Sequence, residues 1–338
     1  MLVLGIESSC DETSAAIVED GRNVLSNIVY SQIDIHTQFG GVVPEIASRK
    51  HVEKISYVVD KCIKDAKISI NDIDVISATY GPGLVGSLLV GLSFAKGLSY
   101  SLKKPFVGVN HVEGHIFANF LTHKDLEPPL IVLVVSGGHT NILVMERYNN
   151  YKVYGKTRDD AVGEAFDKIA RYLNLGYPGG PIIDKLAKDG NENRYIYPDA
   201  NLENPYDFSF SGLKSAVINH INTMKQKKED FKVEDVVASF QKTAVNTLIK
   251  RVINLCFETG IKKVAIAGGV AANTKLRQEL LNSCLNNDIK LYIPEIKYCT
   301  DNAAMIASNG YFKYINGEEN SLSINAVPYI SLVSKNSI

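Results

Sequence analysis

The sequence predicts an α/β protein made of two lobes that repeat the same order of elements. Three features of the pattern support this prediction. A three-stranded meander occurs twice, an amphipathic helix follows each meander, and each half then continues into a strand, a glycine turn, a helix and a short strand. Because the whole order is copied, we expect a duplicated fold.

The first half begins with LVLGIESSCDETSAAIVEDGRNVLSNIVY, in which apolar and β-branched residues alternate around clusters of small polar residues. This pattern is typical of three strands separated by a polar turn and an Asp-Gly turn. The stretch from Glu45 predicts an amphipathic helix, and the segment from Ile73 predicts a strand, a glycine turn and a helix. A short strand then ends at Val109.

The second half repeats this order from Leu130, with a helix from Glu234, a strand, glycine turn and helix from Lys263, and a short strand ending at Pro294. We place the first lobe at residues 1–129 and the second at residues 130–300. Residues 301–330 are predicted to form a C-terminal helix that packs back on the first lobe.

An insertion at residues 172–230 interrupts the second half and is rich in Gly, Pro, Asn and Asp. Long loop-rich stretches inside compact proteins are usually functional elements or disordered spacers, and the interleaved aromatic residues favour the former. We expect the segment YDFSFSG to pack the insertion rather than to stack on RNA.

Composition limits the classes of function. The chain has 338 residues, of which 45% are hydrophobic and 22% are charged, as in ordinary globular proteins. Its 36 basic and 37 acidic residues leave a net charge of -1, so no global cationic field attracts nucleic acid. A polynucleotide partner would have to be held locally or with the help of another subunit.

The cysteines and apolar runs predict a cytoplasmic protein without a membrane partner. Five cysteines, an odd number with no CxxC pair, are typical of reduced thiols. The acidic Glu7 in MLVLGIE argues for a first strand rather than a secretory signal, and the other apolar runs are interrupted before the ~20 residues that span a bilayer.

The pentapeptide HVEGH predicts a metal site. On a helix, His111 and His115 would lie on one face, and Asp301 in YCTDNAAMIA is the candidate third ligand. Two histidines and one carboxylate leave coordination positions open for water or substrate. Both segments follow the last short strand of their half, so we expect the two facing halves to bring the ligands together. The alternative is a chance pair of surface histidines.

Three glycine-containing turns follow strands: GIESSCDETS, VVSGGHTN and AGGVAAN. Small residues let a backbone approach an anion, and hydroxyls of Ser8, Ser9, Thr13, Ser136 and Thr140 are further donors. Neither GxGxxG nor a P-loop ending GK[ST] is present after the first strand, which disfavours the common phosphate-binding folds. Each turn alone is compatible with a plain hairpin, but three turns in a duplicated frame predict a grip on nucleotide phosphates.

These segments resemble one family. GIESSCDETSAAIV, GGVVPEIASRKH, NHVEGH, VSGGHT, DDAVGEAFDK, GYPGGP, DFSFSGLK, AGGVAAN and CTDNAAMIA together resemble the tRNA N6-adenosine threonylcarbamoyltransferases, and DFSFSGLKSAV resembles their bacterial branch. The resemblance covers most of the chain up to the C-terminal tail. It implies the actin-like, Hsp70-like and sugar-kinase-like (ASKHA) fold, with a nucleotide cleft between duplicated lobes.

The implied reaction transfers a threonylcarbamoyl group from threonylcarbamoyl-AMP to N6 of adenosine 37 in tRNAs that read ANN codons. The resemblance implies one divalent metal, Fe²⁺ or Zn²⁺, on His111, His115 and Asp301. Asp11 and Glu12, in the first turn, are candidates for accepting a proton or for holding a second cation such as Mg²⁺. The contacts to substrate and to an ATP- or AMP-type nucleotide that the resemblance and the turns indicate are Ser9, Val134, Val135, Ser136, Gly137, Gly138, Asp167, Gly180, Asp184, Gly268, Gly269 and Asn273.

Some of these residues have structural alternatives. Capping or solvation of the turn is the alternative role for Asp11, and helix capping or surface exposure is the alternative for Asp167 and Asp184.

The implied partners are tRNA, an inactive TsaB paralogue, the ATPase TsaE and a separate synthase that supplies the adenylate. Residues 45–65 and 84–102 are a candidate docking helix pair, because Gly86, Ser87 and Gly91 have spacings that permit close helix approach. Packing within the core is the alternative for those small residues.

Two other functions compete. HxxxH also occurs in zinc peptidases, but Glu113 stands two residues after His111, where a helix turns it ~200° away from the metal face. A small-molecule kinase or regulatory ATP-binding module of the same fold would need no histidine pair.

Overall fold

The computed structural model describes residues 1–332 and divides into two compact units. Unit 1 comprises Met1–Pro128, Glu146–Tyr151 and the described residues from Pro294 to 332. Unit 2 comprises Pro129–Met145 and Lys152–Ile293. Each unit is built on one five-stranded mixed sheet.

The elements follow the order that the sequence predicted. The first half contains β1 (Leu2–Glu7), β2 (Glu12–Glu19), β3 (Asn23–Ser31), α1 (Ile33–Thr37), α2 (Pro44–Ala66), β4 (Val75–Gly81), α3 (Val85–Leu102), β5 (Phe106–Asn110) and α4 (His111–Thr122). The second half contains β6 (Leu130–Val135), β7 (Thr140–Arg147), β8 (Asn150–Lys156), α5 (Val162–Tyr172), α6 (Gly179–Leu186), α7 (Ser211–Lys227), α8 (Val233–Thr259), β9 (Lys263–Ala267), α9 (Thr274–Leu285), β10 (Lys290–Tyr292) and α10 (Ala303–Ile315).

The two sheets have the same topology. Their strand orders are β3-β2-β1-β4-β5 and β8-β7-β6-β9-β10. In each sheet the first two strands pair antiparallel, and the first strand pairs parallel with the strand that follows the long helix. The predicted duplication is therefore confirmed at the level of strand order and direction.

Unit 1 has helices on both faces of its sheet. Strand side chains alternate between faces, so Leu4 and Ile6 pack in a cluster with α2 and α3, whereas Val3 packs in a cluster with α10. Both faces are covered, and β1 and β4 are accordingly buried along almost their whole length.

The last helix approaches the unit 1 sheet closely. A Cβ on Gly5 would lie 2.3 Å from the carbonyl oxygen of Ala303, so only glycine fits at this position. Ser14 Oγ accepts a hydrogen bond of 2.9 Å from the Ala303 amide, and Ser77 Oγ donates one of 3.2 Å to the Ile306 carbonyl. These contacts fix the start of α10.

The insertion in unit 2 contains helices α6 and α7. Its aromatic side chains Tyr206, Phe208 and Phe210 are buried. As predicted, this segment packs the insertion.

Helix α3 is long and apolar enough, by composition alone, to cross a membrane, and it is the one such helix in residues 1–332. It packs against α2 and β4 within unit 1. The expectation that Ser87 and Gly91 serve docking is wrong: Ser87 is buried, and a Cβ on Gly91 would lie 2.4 Å from Ser8 Oγ. Only Gly86 of that set is exposed.

All five cysteines are free thiols, as their number and spacing predicted.

Candidate metal centre and glycine turns

The histidine pair lies on a helix, as predicted. Asn110 caps α4, because its side-chain oxygen accepts hydrogen bonds from the Val112 amide at 2.8 Å and the Glu113 amide at 3.4 Å. The helix therefore begins at His111, directly after β5. The rings of His111 and His115 are 4.7 Å apart between centroids and nearly perpendicular.

Asp301 completes a compact group of ligand atoms. Its Oδ1 lies 3.4 Å from His111 Nε2 and 3.2 Å from His115 Nε2. One ligand atom from each of the three residues falls within 4.8 Å of the other two. Asn302, which caps α10 through the Met305 amide at 3.1 Å, holds the backbone beside Asp301.

From the sequence we expected the ligand candidates to come from the two facing halves of the duplication, but the structure places them in the same unit. Asp301 lies in unit 1 together with both histidines. The physical reason is that the chain after β10 leaves unit 2 at Pro294 and adds α10 to the first sheet.

Glu7 is a site residue that the sequence analysis did not identify. This carboxylate, fully buried at the end of β1, accepts hydrogen bonds from Ser9 N at 2.6 Å, Thr79 Oγ1 at 2.7 Å and His111 Nδ1 at 3.0 Å. Ser9 Oγ also lies 3.1 Å from His111 Nδ1. The available signal was an acidic residue at the end of a strand that is otherwise apolar.

The charges of unit 1 favour a cation at this place. Burial alone would raise the pKa of Asp301, but His111 and His115 hold it well below its usual range. Burial likewise opposes the charged form of His111, yet Asp301 and Glu7 raise the pKa of this imidazole well above its ordinary value. A metal cation could replace the imidazole protons between these carboxylates.

The donor set fits a borderline transition metal. Two imidazoles and one carboxylate suit Fe²⁺ or Zn²⁺ better than Mg²⁺, which prefers oxygen ligands. His115 Nδ1 is buried and has no hydrogen-bond partner within residues 1–332, so this imidazole retains an unfilled donor or acceptor position.

The turn between β1 and β2 places Asp11 and Glu12 in buried positions of unit 1. His51 of α2 holds this turn, because its Nδ1 lies 2.8 Å from Thr13 Oγ1 and its Nε2 lies 3.0 Å from the Cys10 carbonyl. Burial raises the pKa of Glu12 well above its ordinary value, and the carboxylates of Asp301 and Asp11 raise it further. Glu12 therefore favours its protonated form.

In unit 2, two of the predicted turns meet at the carboxyl ends of parallel strands β6 and β9. A Cβ on Gly268, whose φ is 92°, would lie 2.4 Å from the Val135 carbonyl, and a Cβ on Gly163 would lie 2.6 Å from the Ser136 carbonyl. The carboxyl edge of parallel strands is where ligands bind in open α/β sheets. Four other glycines of unit 2 have free space beside them, because an added Cβ would meet no atom within 4 Å: Gly137, Gly138, Gly180 and Gly269.

The polar candidates of unit 2 bond to the protein itself. Asp167 accepts a hydrogen bond of 2.8 Å from the Gly179 amide at the start of α6. Asp184 accepts from Gln241 Nε2 at 3.1 Å and from the amide and hydroxyl of Thr274, both at 3.0 Å. Asn273 caps α9 through the Leu276 amide at 2.9 Å. These bonds give Asp167 and Asp184 a structural role, which the sequence left as an alternative, and they give Asn273 a capping role that the sequence analysis did not consider.

Comparison with known proteins identifies the family. The sequence profile of the family described as tRNA N6-adenosine threonylcarbamoyltransferase matches residues 23–308. The chain belongs to this family. Relatives that carry the family name include one from Caldicellulosiruptor saccharolyticus, 70% identical over 335 residues with 99% of each chain covered. Another, from Clostridium novyi, is 56% identical over 332 residues and covers 98% of this chain and 97% of its own length. The chain is accordingly a transferase that modifies tRNA.

The solved structures support the fold. HypF from T. kodakarensis has a TM-score of 0.63 at 15% identity, over 94% of this chain and 48% of that chain. This likeness shows the fold alone, and the predicted ASKHA architecture of two α/β lobes is confirmed by it.

Proposed function

We propose that this enzyme transfers the threonylcarbamoyl group of threonylcarbamoyl-AMP to N6 of adenosine 37 in tRNAs that read ANN codons, with a divalent metal held by unit 1. The observation that supports it best is the convergence of His111, His115 and Asp301 in a family member. The reaction takes place in the cytoplasm, where its tRNA substrate is found.

The chemistry explains why a metal-ligating centre is useful. The donor is a mixed anhydride with AMP as a good leaving group, whereas the exocyclic amine of adenine is a weak nucleophile. When bound, Fe²⁺ or Zn²⁺ supplies Lewis-acid polarisation of the threonylcarbamoyl oxygens. His111, His115 and Asp301 would hold that ion and leave coordination positions open for substrate.

Asp11 is the residue that we assign to proton acceptance from the amine. It lies in the same turn as Glu12, but the raised pKa of Glu12 favours a protonated carboxyl, which cannot act as a base. His51 and Ser9 hold the turn and so orient Asp11.

We assign the phosphate and adenosine of the donor to unit 2. The exposed tip Gly137–Gly138 offers backbone amides without side chains in the way, and Gly180 and Gly269 leave further room. Because Asp167, Asp184 and Asn273 already hold helices in place, we assign them the role of shaping this site.

Reconstitution tests the proposal directly. Purified protein, threonylcarbamoyl-AMP, a tRNA that reads ANN codons and the partner proteins are combined, and the nucleosides are analysed by mass spectrometry. Threonylcarbamoyl-adenosine should form with the wild type and should be absent with Asp301→Asn. Equal product from both proteins would contradict the metal-assisted mechanism.

The partners of the proposal are TsaE, a synthase that supplies the adenylate, and a TsaB-type paralogue. The exposed face of α2 and α3 is our docking surface for the paralogue. It presents Val52, Tyr57, Leu89 and Tyr100, with 65%, 62%, 40% and 78% of their surface exposed. Exposed apolar residues grouped on neighbouring helices are typical of interaction sites.

Introducing a charge at an exposed aromatic residue tests this surface. Tyr57→Glu should abolish a heterodimer with the paralogue in size exclusion, whereas Phe257→Glu, at an equally exposed aromatic residue of unit 2, should preserve it. Loss of the heterodimer with both variants, or with neither, would argue against the α2–α3 face.

The peptidase alternative would need Glu113 of HVEGH as its base. Glu113 Oε2 pairs with Lys313 Nζ at 2.8 Å and accepts a hydrogen bond from Asn309 Nδ2 at 3.3 Å, so the carboxylate is engaged with α10. As the helix geometry predicted, Glu113 is not available to activate a water on the metal.

A further inference from the structure

We infer that Glu7 is a positioning residue for the metal centre, which fixes the imidazole of His111 with Nδ1 as the donor and Nε2 directed at Asp301. The inference rests on the proposed function, because it assumes that the triad holds a metal. Glu7 is not one of the three candidate ligands, but it contacts the nitrogen of His111 that points away from Asp301.

The direction of the hydrogen bond follows from the chemistry of the two groups. An ionised carboxylate can only accept, so the 3.0 Å contact requires a proton on His111 Nδ1. The other nitrogen, Nε2, lies 3.4 Å from Asp301 Oδ1 and faces the ligand group. Metal-bound histidines commonly donate their second nitrogen to a carboxylate, which fixes the ring and makes the ligand more basic.

The surroundings of Glu7 make the carboxylate rigid. It is fully buried, and an unpaired charge there would be costly. Three donors satisfy it: the Ser9 amide and Thr79 Oγ1 hold the carboxylate to the sheet, and His111 is the third. The Ser9 hydroxyl beside Nδ1 adds a second contact to the same ring.

His115 provides an internal contrast. Its Nδ1 has no hydrogen-bond partner in the described part of the chain, although the side chain is buried. The two histidines are therefore unequal: Glu7 contacts Nδ1 of His111, whereas His115 contacts Asp301 through Nε2 and has no such carboxylate at Nδ1 in the described part of the chain. Removing Glu7 should affect metal affinity through His111.

The experiment compares Glu7→Gln with Thr79→Val and the wild type. Thr79→Val removes one hydrogen bond to the same carboxylate but leaves its contact with His111. Zn²⁺ affinity is measured by competition with a chromophoric chelator, and unfolding of the metal-free proteins is measured in parallel. Glu7→Gln should weaken Zn²⁺ binding about 10- to 100-fold, the usual effect of losing such a carboxylate, whereas Thr79→Val should change it only slightly.

A second readout needs no metal. The Nδ1 proton of His111 should give a strongly downfield imidazole resonance in the metal-free wild type and in Thr79→Val, and it should move upfield in Glu7→Gln, where the acceptor is a neutral amide oxygen. Unchanged Zn²⁺ affinity in a folded Glu7→Gln protein would overturn the inference. If that variant does not fold, absence of the downfield resonance from the wild type would overturn it instead. Failure of the wild type to bind Zn²⁺ while the resonance is present would count against the proposed metal and not against the role of Glu7.

Discussion

Unit 1 and unit 2 share one strand order but use the carboxyl ends of their strands differently. In unit 1, β5 runs directly into α4, which presents the candidate metal-binding histidines, and a buried carboxylate at the end of β1 contacts one of them. In unit 2, the ends of β6 and β9 carry glycines whose backbones touch and leave space beside them. The duplication thus preserves the path of the backbone, whereas the residues at the strand ends determine whether a unit presents side chains or backbone amides to a ligand.

The largest effect is expected when a candidate metal-binding residue of unit 1 is removed. His111→Ala should lower the rate of tRNA modification at least ~10³-fold, the equivalent of about 4 kcal/mol, because Lewis-acid stabilisation is lost with the ion. Bound metal should fall in elemental analysis, while adenylate binding in isothermal calorimetry should remain.

His123→Ala is the matched control, since His123 follows α4 outside the triad. It should retain both metal and activity. Modification that persists in the His111 variant would instead favour a nucleotide-binding module that needs no metal.

The second test compares ion pairs of the two units. Lys313 and Glu113 are buried in unit 1, whereas Lys275 and Glu192 in unit 2 are partly exposed and 2.5 Å apart. Lys313→Met should lower the free energy of unfolding by about 3–5 kcal/mol, because it leaves a buried carboxylate unpaired. Lys275→Met should cost about 1 kcal/mol or less.

Denaturant titration of both variants measures these values. The double substitution of Glu113 and Lys313 by Met should recover most of the loss, because no unpaired charge remains. If the double variant were as unstable as Lys313→Met, packing rather than charge would explain the effect.

A smaller effect is expected from the glycine contacts of unit 2. Gly268→Ala forces a Cβ against the Val135 carbonyl at a positive φ, and such overpacking costs about 1–3 kcal/mol. Adenylate affinity should fall, while metal content should not change. Gly212→Ala in α7 of unit 2, where the new Cβ meets nothing within 4 Å, is the matched control. Loss of metal in Gly268→Ala would show that metal binding in unit 1 also depends on the glycine turn of unit 2.

The smallest effect is a difference in pH dependence. Burial lowers the pKa of His51 from 6.5, so its stabilisation is present above pH 6.5 and is lost as the pH falls below that value. In unit 2, burial opposes ionisation of Asp160, but hydrogen bonds from Lys168 and Lys214 lower its pKa from 3.8, so its contribution is lost only below that value. Between pH 6.5 and pH 3.8, the turn between β1 and β2 in unit 1 should therefore open more often, whereas the backbone amides around Asp160 in unit 2 should stay protected from exchange.

Hydrogen exchange measures this difference. Protection factors for peptides covering residues 8–13 should decrease by at most about tenfold per pH unit below pH 6.5, the slope for one proton. Those covering residues 157–168 should stay constant down to about pH 4, where Asp160 begins to take up a proton. Substituting His51 by Gln should remove the first dependence, and an unchanged slope would show that another group controls the turn.

Features that depend on the local pattern of residues could be predicted from the sequence. Alternation and turn residues predicted both meanders, and the spacing of His111 and His115 predicted one helical face. The sequence was also sufficient to exclude Glu113 as a base, because helix geometry alone turns it away from the metal face.

What the sequence did not predict depends on tertiary contacts. The role of Glu7 requires knowing that β1 and α4 meet, and the pattern of β1 alone shows only an acidic strand end. Ser87 and Gly91 were assigned to docking because small residues permit contact on any side, and only the fold shows that this side faces Ser8. The sequence grouped Asp301 with His111 and His115, and its carboxylate lies beside both imidazoles, but the unit to which Asp301 belongs depends on where the chain leaves the second sheet.

The closure of the first sheet by α10 has a consequence for synthesis on the ribosome. Unit 1 combines residues before Pro128 with residues after Pro294, and Ala303 fills the space that Gly5 leaves open. The N-terminal strands are therefore synthesised before the whole of unit 2, and α10, which covers one face of their sheet, is synthesised after it. An ion that needs both α4 and Asp301 can be bound only after Asp301 has been translated, when all residues of unit 2 have already been synthesised.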